Sequence, residues 1–265
     1  MTHGDLLDLA RTVAEEAAAL VRRQRHGGVA VADTKSSPTD IVTAVDRDAE
    51  ELIHRRITET RPGDGFLGEE GASTESTTGV TWVVDPIDGT VNFLYGIPQY
   101  AISIAAVVDD ESVAGVVTNV VTGECFTAVR GEGAWCDDEP LAVRDAVPMS
   151  QALVGTGFSY ERDVRMLQAL AVSRMLGHVR DVRRLGSAAL DLCFVGAGRL
   201  DAYVEEGLNP WDMAAGGLVA SEAGARLETR RGVGGKTCVV AAPGAVFDEF
   251  EKLASSCGFF SADGE

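Results

Sequence analysis

Cysteine is scarce and unpatterned: the five residues Cys125, Cys136, Cys193, Cys238 and Cys257 are odd in number and form no Cys-x-x-Cys pair. This argues against a disulfide framework or a zinc site and implies free thiols in a reducing cytoplasm. Positive charge is also short, with 23 Lys and Arg against 41 Asp and Glu and a formal net charge of -18. Nucleic-acid binding leaves a basic footprint, so no nucleic-acid partner is expected. Apolar runs long enough to span a bilayer are absent, which excludes transmembrane helices. An export signal is not expected either, because Asp5, Asp8, Glu15 and Glu16 interrupt the segment Met1–Leu20. A cytoplasmic protein with no membrane association is the resulting expectation. His3, His26, His54 and His178 stand apart from the acidic motifs described below, so no histidine catalysis is assigned, and there is no Gly-rich dinucleotide fingerprint.

What is present is an ordinary globular composition, 45% apolar and 24% charged over 265 residues, enough to bury one sizeable core. Leu6, Ala10, Val13, Ala17 and Leu20 predict an amphipathic helix ending near Gly27-Gly28. Ala49, Leu52, Ile53 and Ile57 predict a second, from about Asp46 to Thr60, closed by Pro62-Gly63. β-branched and aromatic runs at Val80–Val84, Ala101–Val108, Ser112–Val121 and Cys125–Val129 alternate with turn residues and predict an antiparallel meander. Beyond Pro148, strands at Ala152–Gly157, Val179–Leu185 and Leu200–Glu205 alternate with helices from Arg162, Ser187 and Trp211. Strands near Ala225–Glu228 and Cys238–Ala241 and a helix from Ala245 to Ser255 complete the chain. Such an order predicts a layered α+β protein with sheets sandwiched between helices. The expectation is a single unit over 1–265, with an N-terminal lobe of about 1–147 and a C-terminal lobe of about 148–265.

Four segments set carboxylates where the chain leaves regular structure: Asp40 to Asp46, Gly68-Glu69-Glu70-Gly71, Asp85 to Thr90, and Trp211-Asp212. Singly, most have ordinary explanations: Asp46 as a helix N-cap, Glu69-Glu70 as a solvated turn, Asp212 as a first-turn acid complementing the helix dipole. The Asp85 segment is different. A strand delivers one carboxylate, then a Pro-fixed turn, a second carboxylate at Asp88, and Gly89-Thr90. Asp85, the carbonyl of Ile87 and Asp88 then offer the hard oxygen ligands that suit Mg²⁺, while Gly89 lets the backbone approach an anion. Converging carboxylates at about 4 Å repel by roughly 4 kcal/mol per pair at an effective dielectric near 20, which divalent cations relieve.

Lys35-Ser-Ser-Pro-Thr-Asp-Ile-Val-Thr-Ala-Val-Asp46, Gly68-Glu-Glu70, Trp82-Val-Val-Asp-Pro-Ile-Asp-Gly-Thr-Val-Asn-Phe93, Gly186-Ser-Ala-Ala189 and Trp211-Asp-Met-Ala-Ala-Gly216 occur in this order. With them the chain resembles the inositol monophosphatase family over nearly its whole length, and in detail the bacterial inositol-1-monophosphatases. The resemblance implies the layered αβαβα sandwich of the inositol monophosphatase and fructose-1,6-bisphosphatase type. It also implies that Glu69, Asp85 and the carbonyl of Ile87 hold one Mg²⁺, and that Asp85, Asp88 and Asp212 hold a second. A third, weaker ion shares Glu69, with Glu70 behind it, and Mn²⁺ is a possible substitute. Lys35 is implied to lie near the cluster without being catalytic.

Catalysis by Thr90, Asp46 and Glu69 is implied likewise, with Thr90 and Asp46 activating the water. The substrate contacts are Asp88, Gly89, Thr90, Asp212, the turn Gly186-Ser187-Ala188, and Glu205, whose carboxylate is chemically apt for a polyol hydroxyl. The substrate is then a small phosphate monoester, myo-inositol 1-phosphate foremost, and the family implies a homodimer and sensitivity to Li⁺. Relatives with the same metal core hydrolyse fructose 1,6-bisphosphate, histidinol phosphate or 3′-phosphoadenosine 5′-phosphate. Arg183-Arg184 is the best basic candidate for a second phosphate, against a strand-edge or subunit-interface pair, which is preferred. A regulatory binding protein with incidental phosphatase activity is the alternative of another class.

Overall fold

The computed structural model describes residues 2–25, 31–34 and 41–260. Lys35 and Asp40 therefore lie outside the described residues, as does the expected helix end at Gly27-Gly28. Helix α1 (His3–Arg25) buries Leu6, Ala10, Val13, Ala17 and Val21, one apolar stripe at helical spacing. The antiparallel pair β1 (Val31–Thr34) and β2 (Ile41–Thr43) runs directly into α2 (Ala44–Thr60).

Next come β3 (Gly65–Gly68), β4 (Ser73–Thr74), β5 (Val80–Asp88), the short helix α3 (Thr90–Tyr95), β6 (Ala101–Val108), β7 (Glu111–Asn119), β8 (Cys125–Val129), β9 (Gly133–Cys136) and β10 (Glu139–Pro140). They form one eight-stranded sheet in the order β10-β9-β8-β7-β6-β5-β3-β4. From β5 to β8 it is the expected antiparallel meander, which β9 and β10 extend, and β3 joins β5 in parallel. Asp109 and Asp110 both take positive φ (50° and 62°) between β6 and β7, the backbone that a tight two-residue hairpin requires. β7 stops at Asn119 rather than Val121, because the Asn119 side chain accepts the Val121 and Thr122 amides (2.9 and 3.1 Å) and turns the chain.

The second half supplies β11 (Leu153–Thr156), α4 (Arg162–Met175), β12 (Asp181–Arg183), α5 (Ala188–Gly196), β13 (Ala202–Glu206), α6 (Pro210–Glu222), β14 (Ala225–Arg231), β15 (Thr237–Pro243) and α7 (Phe247–Cys257). Its five-stranded sheet has the order β12-β11-β13-β15-β14, parallel across the first three strands and antiparallel thereafter. The strand expected over Val179–Leu185 is only β12, because the His178 and Val179 amides still bond back to the Met175 carbonyl.

Five layers stack in the order α1–α2, eight-stranded sheet, α5–α6, five-stranded sheet, α4–α7. Each of the four junctions has its own apolar cluster, around Trp82 and Ile104, Val117 and Phe126, Leu192 and Tyr203, and Val204 and Phe250 in turn. The central layer is thin because small residues line it. A Cβ at Gly216 would meet the Ala189 carbonyl oxygen at 2.7 Å, so α5 and α6 are in near backbone contact. The two sheets are thereby brought close enough for side chains from both to share one cleft.

Candidate metal centre

The cleft begins at the end of β5. Its ladder with β6 pairs Asp85 with Ser103 and Asp88 with Ala101, so three steps on one strand match two on the other. That single extra residue is a β-bulge. Without it, acids three residues apart would point to opposite faces; with it, Asp85 and Asp88 both face the α5–α6 layer. The Ile87 amide turns inward to the Asp85 carboxylate (3.0 Å), and the Ile87 carbonyl accepts from the Thr90 hydroxyl (3.0 Å). Gly89 has a φ of +96°, and a Cβ there would sit 2.9 Å from the Gln99 carbonyl, so the turn needs glycine on both counts.

Two further acids arrive on helix starts and share one device. Asp46 and Asp212 are each the third residue of their helix and close a capping box with Thr43 and Asn209. Asp46 is thus not itself the N-cap; Thr43 is. In Asp46, Oδ2 accepts the Thr43 amide (3.0 Å) and hydroxyl, leaving Oδ1 for the Thr90 hydroxyl at 3.0 Å. In Asp212, Oδ2 accepts the Asn209 amide (2.6 Å), and carboxylate oxygens of Asp85, Asp88 and Asp212 all lie within 4.8 Å of one another. Glu69 follows β3, with its amide on the Val84 carbonyl (3.2 Å).

Glu69, Asp85, Ile87, Asp88, Gly89, Thr90, Gly186, Ala188, Glu205 and Asp212 all line one cleft of about 580 Å³. Asp46 and Ser187 are buried behind it, where Ser187 Oγ and the Ala189 amide donate to Asp88 Oδ2 (2.6 and 2.8 Å). Glu70 does not line the cleft, and its amide bonds to Glu50 (2.8 Å). At the far wall the Tyr203 hydroxyl donates to Glu205 Oε2 (2.6 Å).

Arg184 enters the cleft with its guanidinium folded over Gly186, whereas Arg183 stays on the edge strand, paired with Asp181 (2.6 Å). Strand-edge placement thus describes Arg183 alone. Sequence reasoning gave no role to Asn92, although it stands in the Trp82–Phe93 motif; its amide donates to the Gln99 and Leu185 carbonyls (2.7 and 2.8 Å) and ties α3 to the Gly186 turn. Glu50 was missed as well: this buried acid accepts the Glu70 and Ala72 amides (2.8 and 2.9 Å) and so holds the loop that carries Glu69. Neither has a local signal, since both act on residues distant in sequence.

Burial dominates the electrostatics. It pushes the Asp85 carboxyl well above its ordinary range, with Glu69, Asp88 and Asp212 adding to the rise. Asp88 is pushed up to about 7 by burial, against the hydrogen bonds from Ser187 and Ala189. Asp212 is raised well above its ordinary range by burial and then Asp88. Burial likewise raises Asp46, against the hydrogen bonds from Thr43 and Thr90, and raises Glu205, against Tyr203 and Arg184. Acids this close and this buried are costly as bare charges. The oxygen-only donor set fits a hard divalent cation, which would let them ionise together.

A family model described as "Inositol monophosphatase family" matches residues 4–255. The chain is 50% identical over 262 residues to the inositol-1-monophosphatase of Mycobacterium leprae, covering 91% of this chain and 90% of that protein. It is 37% identical over 221 residues to the Nus factor SuhB of Pasteurella multocida, covering 83% of each. Among solved structures, Mycobacterium tuberculosis SuhB superposes with a TM-score of 0.84 at 44% identity, covering 97% of this chain and 98% of that one.

Proposed function

Because the chain belongs to the inositol monophosphatase family and is a phosphatase, we propose that it hydrolyses myo-inositol 1-phosphate and related sugar monophosphates to the free alcohol and phosphate. The observation that carries this reading is one cleft with three clustered aspartates at its floor and Glu205 at its far wall. Glu69, Asp85 and the Ile87 carbonyl would hold one Mg²⁺, and Asp85, Asp88 and Asp212 another. Bound there, Mg²⁺ would supply Lewis acidity and cancel the charge of the acids and of the phosphate.

The chain's own groups then divide the work. Asp46 Oδ1 accepts the Thr90 hydroxyl proton, which leaves a Thr90 lone pair to accept from the attacking water and aim it at phosphorus. The Gly89 and Thr90 amides receive phosphate oxygens, where glycine permits close approach. Glu205 accepts from hydroxyls of the alcohol, and its position depends on the bare Gly157, where any Cβ would collide with the Glu205 carboxylate. A homodimer in the cytoplasm, inhibited by Li⁺, belongs to the same proposal.

Phosphate release with Mg²⁺ from myo-inositol 1-phosphate, fructose 1,6-bisphosphate, histidinol phosphate and 3′-phosphoadenosine 5′-phosphate tests it. The highest kcat/KM is expected on the inositol ester, and equal or better turnover of another substrate would displace that assignment.

Glu50 gives a second prediction. Glu50→Leu frees the Glu69 loop from its two amide anchors, so the Mg²⁺ concentration for half-maximal rate rises about ten- to a hundredfold. The rate at saturating Mg²⁺ changes far less. An unaltered Mg²⁺ titration would disconnect Glu50 from the site.

A further inference from the structure

β13 ends on two consecutive acids, and strand alternation sends them to opposite faces of the second sheet. Glu205 faces the cleft. Glu206 turns to the α4 side, where it is 3% exposed. A buried carboxylate needs donors, and Glu206 has three. Its Oε1 accepts the Gly234 and Lys236 amides (2.7 and 3.1 Å) and its Oε2 accepts the Gln168 side-chain amide (3.2 Å). Gln168, itself 1% exposed, accepts the Ser159 amide at 2.8 Å.

One buried pair thus grips two loops at once. The loop before α4 brings Ser159, Tyr160 and Glu161 to the cleft, and the turn between β14 and β15 brings Gly235, Lys236 and Thr237. The loops also meet above the pair, where Lys236 Nζ lies 2.6 Å from a Glu161 carboxylate oxygen. Lys236 is one of only three lysines in the chain, so an ammonium at this rim is not a by-product of a lysine-rich surface. Neither loop contributes any of the clustered aspartates, Thr90 or Asp46.

We infer that Gln168 and Glu206 are positioning residues for the alcohol side of the substrate, and that through them Lys236 is held where it contacts the alcohol. The clamp therefore sets which alcohols are accepted and leaves the hydrolytic step itself alone. This inference rests on the phosphatase reading of the cleft. Its chemistry is hydrogen bonding from an ammonium to the hydroxyls of a ring polyol, with Glu161 releasing Lys236 from its ion pair as the alcohol enters.

The test compares myo-inositol 1-phosphate with glycerol 2-phosphate, whose alcohol is half the size. Glu206→Leu is expected to lower kcat/KM for the inositol ester about tenfold, the loss of one charged hydrogen-bond anchor. The loss should fall on KM, and the ratio of the two substrates should fall with it. Glu206→Gln, which keeps an acceptor for both amides, should recover most of it. Lys236→Met lies on the surface and cannot unsettle the core; it should reproduce the KM rise even if Glu206→Leu does not fold. Without any substrate, the Gly234 and Lys236 amides should exchange hydrogen faster in Glu206→Leu or Gln168→Leu than in the wild type. Equal losses on both substrates, faster exchange with an unchanged substrate ratio, or unchanged exchange would each overturn the inference. A wild-type enzyme that releases no phosphate from either ester would overturn the functional reading instead, while the exchange measurement still judges the clamp.

Discussion

Replacing Asp85 with asparagine is expected to abolish phosphate release while making the metal-free protein harder to melt. Asp85 is 1% exposed and lies against Glu69, Asp88 and Asp212, the like charges that raise its carboxyl after burial itself. Removing one charge from such a group relieves repulsions of roughly 4 kcal/mol per pair at 4 Å and an effective dielectric near 20, offset in part by protonation. A net gain of even 1 kcal/mol raises Tm by about 2–4 °C in a chain of this size. The asparagine still accepts the Ile87 amide, so the bulge keeps its internal bond. Activity should fall at least about a thousandfold, beyond the ten- to hundredfold expected of residues that only orient ligands. Thermal melts with and without Mg²⁺ should show a higher metal-free Tm and little further rise on adding the ion. A lower metal-free Tm together with retained turnover would remove Asp85 from the metal centre.

Thr90→Ala should lower kcat by about a hundred- to ten-thousandfold, the range associated with a positioned proton-transfer group, while KM changes little. The Thr90 hydroxyl lies 3.0 Å from both Asp46 Oδ1 and the Ile87 carbonyl. It has one proton to give, and a lone pair stays available to water. Asp46 is the better acceptor because it is ionic and is fixed by Thr43 on its other oxygen. Thr90→Ser keeps the hydroxyl and should restore most of the rate. If serine fails as badly as alanine, packing of the threonine methyl carries the effect and the hydroxyl does not.

Much of the layered fold was legible because the chain repeats simple periods. The stripe from Leu6 to Ala17 and the alternating runs from Val80 to Val129 read directly as helix and meander. The two-residue strand β4 and the four-residue β3 did not, since strands this short carry no period of their own and exist only by pairing, β3 with β5 and β4 with β3. The acidic motifs were visible as sequence, but not what fixes them: both the Asp46 and Asp212 helices begin earlier than expected, at boxes closed by Thr43 and Asn209. Glu50, Asn92 and Glu206 were illegible for a common reason. Each is a polar residue with at least one backbone partner twenty or more positions away, so neither composition nor spacing reveals its role. Asp191 was also unforeseen; it is 1% exposed with no hydrogen-bond partner for either oxygen among the described residues, and burial raises its carboxyl well above the usual range.

The extra residue in β5 has a consequence for how this chain can change. Deleting Pro86 or Ile87 would make the ladder with β6 continuous and still leave Asp88 opposite Ala101, on the same face as Asp85. Judged as a sheet, the shortened strand would be the better one. It would no longer have a carbonyl turned out of the ladder, nor the bend that brings Thr90 back over it. Regularity and chemistry therefore pull in opposite directions at one position, and the length of this segment is set by the reaction rather than by folding.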